Sequence, residues 1–447
     1  MTNRAILLPV DVAEGIAPMA VRGTVVKSKW AHNLLTFLAV FGPGLIVMVA
    51  DNDAGAVSTY TQAGAQYGTR LLWLILLLLP VTYFIQEMVV RLGIATGKGH
   101  AAMIYQRFGK WWGLFSLVDL ELVNFLTLVT EFACIDLALT QMGVDPRLGI
   151  PLVACGLVLI AVTGSYRRWE RTVVFLCLLD LAWFLIAWKM HPAAGEVLRA
   201  SLIPGIPAGG LTADLVFLVI AIVGTTVAPW QLFFQQSCIA DKRLRFADIP
   251  WARLDTFLGA CITISVAGCM LLVGNASLAH GFHFTDPARM AVDLGTFAGP
   301  LVKNVILLMM INAAVLGTTA ISLSSAWAYG EVKRWPHSLQ LPPRKALGFY
   351  SVYLVCVAAA AAIVLIPRAP LQLIILGVQV LAGVMLPSAI IFLQLLLNDK
   401  ELLGEYANKR WNNVINWTII VVLFALSLVL AAQVAAPNLF PAASGAN

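Results

Sequence analysis

Eleven apolar runs dominate this chain, near residues 34–67, 70–94, 112–141, 147–164, 170–190, 210–237, 252–275, 298–327, 346–367, 370–397 and 413–435. A hydrocarbon core of ~30 Å takes ~20 residues of helix to cross, so each run reads as a spanning helix. Lipid gives backbone N–H and C=O groups no partners, which leaves helices or closed barrels as the only spanning structures. The runs lack the alternation of barrel strands. The expected fold is therefore an all-α integral membrane protein with 11 transmembrane helices. Composition agrees: 60% of residues are hydrophobic and 12% charged, about half the charged share of a soluble chain. The 29 Lys and Arg outnumber the 23 Asp and Glu, but they sit in short loops between apolar runs, so no nucleic-acid partner is expected. The seven cysteines form no CxxC pair and read as small buried apolar residues. No nucleophile–base pair or phosphate-binding loop suggests an enzyme, and no cofactor is expected.

Orientation follows from the basic residues. With the N-terminus in the cytoplasm, 22 of the 29 Lys and Arg fall on that side and seven on the other. Residues 1–33 then read as a cytoplasmic tail without a secretory signal, since the apolar stretch 5–12 is too short to span. The C-terminal tail, 436–447, falls outside. The setting is a plasma (inner) membrane.

Two runs are interrupted at their middle. The first carries Ala50-Asp51-Asn52-Asp53-Ala54-Gly55 and the sixth carries Gly224-Thr225-Thr226-Val227-Ala228-Pro229. Each opens a block of five helices, residues 34–190 and 210–397. An odd number of spans forces the second copy to insert upside down. Paired broken helices in inverted repeats point to a transport site at the midplane. Helix 413–435 follows the second repeat.

The motifs around these breaks resemble those of the NRAMP family of metal transporters. Gly42-Pro43-Gly44, then Asp53-Ala54-Gly55-Ala56, then Gln62-Ala63-Gly64-Ala65 are similar to the family's GPG, DPGN and QAGA. Arg91-Leu92-Gly93 with Thr96-Gly97-Lys98 is similar to RLGxxTGK, and Thr226-Val227-Ala228-Pro229-Trp230-Gln231 stands where the family has TVMPHN. The likeness runs from about residue 34 to 435 and implies a LeuT-type fold with broken helices 1 and 6. It also implies a metal site. The family's ligands are an Asp and an Asn from helix 1, a Met from helix 6, and backbone carbonyls. Here those positions are Asp53, Ala56 and Ala228, with the carbonyls on Ala50 and Thr225.

The departures shape the expected substrate. Loss of the thioether removes the soft ligand that favours manganese and iron. Two alanines widen the site and leave it lined by oxygen. Mg²⁺ sheds water reluctantly and is commonly held by one or two carboxylates with several waters retained. Asp53 is expected to meet such a hydrated ion as a lone carboxylate, with Thr225, Thr226, Asn52 and Gln379 orienting its waters. The resemblance is closest to the NRAMP-related magnesium transporters, a side branch of the family, which implies Mg²⁺ and secondarily Mn²⁺ import by alternating access. The alternatives are a proton-coupled Mn²⁺/Fe²⁺ transporter, an Al³⁺ carrier, and a LeuT-like carrier of amino acids or organic cations. Proton coupling is not expected. The family's helix-6 histidines are replaced by Trp230 and Gln235, and its helix-3 Asp–Glu pair is reduced to Leu128 and Glu131.

Carboxylates at bilayer depth are functional by default. Asp51 is expected to line the vestibule or to bond freed backbone groups, and Glu131 to be a remnant of the proton path or a structural partner. Asn312 is expected to face the ion path and Trp230 to plug or gate the cavity. Asp119, Glu121, Asp136 and Asp180 read as helix-packing partners, and Glu87 with Arg91 as an ion pair one turn apart. The expected partners are a divalent ion and the bilayer, with the chain a monomer.

Overall fold

The computed structural model describes residues 29–207, 210, 212–366 and 370–435, with side chains from 33 to 432. The expected N-terminal tail (apart from its last few residues) and the C-terminal tail lie outside these. The chain divides into two units between Ala39 and Val40. The first contains all but the last residue of α1 (Lys29–Val40).

The order of helices is α2 (Pro43–Val49), α3 (Ala54–Tyr67), α4 (Leu72–Thr96), α5 (His100–Phe108), α6 (Lys110–Met142) and α7 (Pro146–Ala161). Then come α8 (Tyr166–Leu179), α9 (Ala182–Lys189), α10 (Ala194–Leu202), α11 (Ala213–Thr226), α12 (Pro229–Lys242) and α13 (Ile249–Ala279). The chain closes with α14 (Pro287–Ala298), α15 (Pro300–Lys333), α16 (Leu347–Val364), α17 (Leu371–Leu397), α18 (Lys400–Leu403) and α19 (Arg410–Ala435). No strand occurs among the described residues.

Nine helical stretches among the described residues are long and apolar enough to cross a membrane. The difference from the expected eleven is one of continuity and length. α3 runs through a short 3₁₀ turn (Gly68–Leu71) into α4, so helices 1 and 2 share one stretch. α7 has only 16 residues. Helix 5, expected to be continuous, is split at Asp180 into α8 and α9.

Glycines set the closest contacts. A Cβ on Gly64 of α3 would lie 1.9 Å from the Leu271 carbonyl of α13, and one on Gly274 would lie 2.0 Å from the Thr61 carbonyl. A Cβ on Gly224 of α11 would lie 2.0 Å from the Gln379 carbonyl of α17. In lipid, where apolar burial gives helices little reason to associate, such backbone approach is what packs them.

The short helix α2 is fixed at its start by charge. Gly42, at φ 137°, turns the chain into Pro43. The buried carboxylate of Asp255 on α13 accepts from the Gly42, Gly44 and Leu45 amides at 3.2, 2.7 and 3.2 Å. These are among the amides a helix start leaves unpaired. Lys242, ending α12, donates to the Phe41 and Val40 carbonyls and pairs with Glu170 of α8 at 2.7 Å. Elsewhere Glu87 pairs with Arg91 as expected, and with Arg253 as well.

Candidate functional site

Both expected helix breaks are present, and each has a local cause. Between α2 and α3, Asp53 leaves helical geometry (φ −72°, ψ −172°), and its side chain accepts from the Ala56 amide at 2.9 Å. The next amide in line for the Ala50 carbonyl, that of Ala54, donates instead to Glu131 Oε2 at 3.1 Å. That leaves the Ala50 carbonyl without its i+4 partner. Between α11 and α12, Val227 and Ala228 are extended and Pro229 starts the next helix. Pro229 has no N–H, so it cannot return a bond to Thr225. Both carbonyls expected at the site are thus released by the chain itself. The half-helices pack crosswise, α3 with α11 and α2 with α12.

Asp53 is not a lone carboxylate. Glu131, from α6, caps the same helix start. A Cβ on Gly317 of α15 would sit 2.8 Å from both Asp53 Cβ and Glu131 Cδ, so the two acids face one spot. Asp53 is 2% exposed and Glu131 0%. Among the described residues neither is ion-paired to Lys, Arg or His. Sequence reading names Glu131 as a candidate but does not place it beside Asp53, because the two meet only through the packing of α6 on the start of α3.

Other expected residues separate into two groups. Gln379 packs onto α3: a Cβ on Gly55 would lie 1.8 Å from its Nε2. The buried polar atoms with no protein partner include six on the two breaks and the helices around them: Asp51 Oδ1 and Oδ2, Asn52 Oδ1, Thr225 Oγ1, Glu131 Oε1 and Gln379 Nε2. Buried polar groups are nearly always bonded, to protein, water or ion, so this set marks a polar site rather than a dry core. Ala56 and Ala228 line the breaks at 0% and 4% exposure, without donor side chains.

Thr226 and Asn312 have side chains bonded to protein groups. The Thr226 hydroxyl bonds the Ile222 carbonyl at 2.5 Å and the Tyr60 hydroxyl at 2.7 Å, which ties α11 to α3. The Asn312 amide donates to Asp180 Oδ1 at 2.8 Å and to the Leu176 carbonyl at 3.1 Å, on the α8 side of α15. Trp230 is fully buried in an aromatic group with Phe234 and, beyond it, Trp327, and its carbonyl accepts from Ser324.

The sulfurs near the breaks have protein partners. Met48 Sδ faces the Thr82 hydroxyl at 3.7 Å, and the Cys134 thiol, one turn along α6 from Glu131, faces the Met310 carbonyl at 3.9 Å. His100, between the spanning helices, is buried against Gln236, and burial lowers its pKa from 6.5 to about 4. Gly317, Tyr60 and the capping role of Glu131 were not found from sequence. A small residue inside a polar span, as at Gly317-Thr318-Thr319, was the only signal for the first.

A bundle of spanning helices, with the first and sixth broken beside buried acids, is the architecture of the LeuT-type membrane fold. Solved structures agree on the fold. An Eremococcus coleocola manganese transporter bound to an aromatic bis-isothiourea compound matches with a TM-score of 0.74, at 20% identity over 90% of this chain and 88% of its own. MhsT in complex with L-phenylalanine matches at 0.59, with 13% identity over 89% and 98%. The sequence profile of the natural resistance-associated macrophage protein-like family, Nramp, matches residues 44–433, and the chain belongs to that family. A Staphylococcus aureus relative named divalent metal cation transporter MntH is 26% identical over 445 residues, covering 92% of this chain and 95% of its own length.

Proposed function

We propose that this chain carries Mg²⁺, and secondarily Mn²⁺, into the cytoplasm by alternating access, as a partly hydrated ion without proton coupling. One observation carries the divalent reading: the carboxylates of Asp53 and Glu131 meet at one helix start, fully buried, with no basic partner among the described residues. Ionised together they balance a charge of two. The Ala50 and Thr225 carbonyls add hard oxygen donors, and Asn52, Thr225, Gln379 and Asp51 offer unpartnered atoms to the waters such an ion keeps.

The choice of Mg²⁺ rests on the donor set. Oxygen donors with retained water suit Mg²⁺, whereas a thioether or thiolate would favour softer metals. Ala56 and Ala228 supply neither nitrogen nor sulfur. The name of the S. aureus relative supports the divalent class. Manganese, the substrate in the name of the Eremococcus transporter, is the second reading, but Ala228 and not a Met stands at the α12 start. A carrier of carboxylate-bearing substrates is disfavoured, because two acids occupy the helix start that would receive the substrate's own.

Lack of proton coupling is supported by the absence of histidine from every spanning run of the sequence. The driving force is then the ion gradient plus the membrane potential, worth about 4.6 kcal/mol for a divalent ion at 100 mV. The inside-negative potential drives a cation inward, the bias of basic residues places the N-terminus in the cytoplasm, and the five-helix blocks 34–190 and 210–397 act as the inverted repeats. The test is purified protein in liposomes holding a Mg²⁺ dye or a pH dye, with Mg²⁺, Mn²⁺ and Ca²⁺ compared. Mg²⁺ uptake lost in Asp53→Ala and unaccompanied by acidification is expected. Vigorous uptake by Asp53→Ala, or acidification of the lumen in step with Mg²⁺, would refute the proposal.

A further inference from the structure

A third helix break has acidic chemistry that transport at Asp53 does not use. Between α8 and α9 the backbone tightens. The Asp180 amide donates to Cys177 O and that of Leu181 to Leu178 O, both at 3.3 Å, followed by Trp183 to Asp180 O and Phe184 to Leu181 O at 3.1 Å. These are i to i−3 bonds, the 3₁₀ pattern, which inside a helix often marks a hinge or local strain. The Leu176 carbonyl thereby loses the amide of Asp180, its partner in a regular α-helix. Asn312 of α15 takes its place, and the same Nδ2 also reaches Asp180 Oδ1.

Two oxygens remain without a protein partner: Asp180 Oδ2 and Asn312 Oδ1. Asp180 is 0% exposed and Asn312 6%. Asp180 lies well inside Tyr166–Lys189, a stretch of spanning length. Among the described residues no Lys, Arg or His pairs with it. A carboxylate at that depth calls for a compensating positive charge.

We infer that the α8–α9 break and Asn312 form a second cation site, separate from Asp53, that takes a monovalent ion of the Na⁺ type. Its protein donors are the single carboxylate of Asp180 and the amide oxygen of Asn312. Hard oxygen donors select hard ions. One negative charge balances one positive charge, whereas a divalent ion would be left half compensated.

The site shares a helix with the Asp53 centre. Asn312 and Gly317 are five residues apart on α15, about 7.5 Å along its axis. An ion that clamps Asn312 to the α8–α9 break also holds Gly317 against Asp53 and Glu131. Monovalent and divalent binding are then linked, and the linkage is reciprocal. This coupling rests on the transport reading above, but the monovalent site does not.

The experiment compares thermal unfolding of purified wild type, Asp180→Asn and Asn312→Leu in chloride salts of Na⁺, K⁺ and choline. Ionic strength is held equal and Mg²⁺ is left out. The expected result is a saturable rise in wild-type Tm with Na⁺ that both variants lack; in a separate liposome uptake assay of wild type, half-maximal Mg²⁺ uptake comes at a several-fold lower Mg²⁺ concentration in Na⁺ than in choline. If a variant fails to fold, equilibrium binding of ²²Na⁺ to wild type, displaced by unlabelled Na⁺ but not by choline, carries the test. Equal Tm in all three salts, absence of ²²Na⁺ binding, or a Na⁺ response that survives in Asp180→Asn overturns the site. So does a Tm that responds to pH alone, which would assign the position to a proton. A protein that binds Na⁺ yet moves no Mg²⁺ would overturn the transport reading and leave this site standing.

Discussion

Gly317→Ala adds one methyl group at the point where the two site acids meet. Its Cβ would lie 2.8 Å from Asp53 Cβ, Glu131 Cδ and Glu131 Oε1. Comfortable carbon–carbon contact begins at about 3.5 Å, so something must move by most of an ångström. Overpacking of this kind costs about 1–3 kcal/mol. α15 is a 34-residue helix packed against α6, α14 and α16, so the compliant partners are the two carboxylate side chains. If the strain falls on them, the ion site opens, and Mg²⁺ affinity falls roughly tenfold to a hundredfold, at about 1.4 kcal/mol per tenfold. Titration calorimetry of the purified variant reads this directly, uptake gives the half-saturating concentration, and thermal unfolding serves as the control. A variant with unchanged Mg²⁺ affinity but lowered Tm would show that the helix yields rather than the acids, and that Gly317 has no part in shaping the site.

Two further outcomes follow from the same geometry. Ala228→Met combined with Ala56→Asn restores a thioether and an amide to the two breaks, and preference in liposome uptake should move toward Mn²⁺. Unchanged Mg²⁺/Mn²⁺ selectivity would count against the donor-set argument. His100, fully buried with its pKa lowered to about 4, is neutral in the folded state, while the unfolded chain takes up its proton near pH 6.5. Stability should therefore fall as pH drops from 6.5 to 4, by about 3 kcal/mol for a shift of this size. His100→Asn should flatten that slope in denaturation curves, and an identical slope in the variant would mean that other groups cause it.

The sequence by itself decided the solvent, the helices and the places where two of them break. Apolar runs of spanning length leave a chain in lipid no other regular structure. The breaks are written in local chemistry: Asp53 caps the helix that follows it, and Pro229 withholds the amide that Thr225 would receive. The family motifs named the carbonyls of Ala50 and Thr225, and the alanines at 56 and 228, before any coordinates. Tertiary structure decided what surrounds those breaks. Glu131 lies 77 residues from the amide it caps, Gly317 and Gln379 reach the site only through packing of α15 and α17, and Tyr60 meets Thr226 only because α3 packs on α11. The same holds for Asn312, which sits 132 residues from Asp180. A spanning helix presents polar groups on several faces, and sequence spacing within one helix does not say which face meets which neighbour. Only the closest backbone approaches, set by glycines such as Gly64, Gly224 and Gly274, fix those rotations. Whether an acid stands alone or in a pair depends on them.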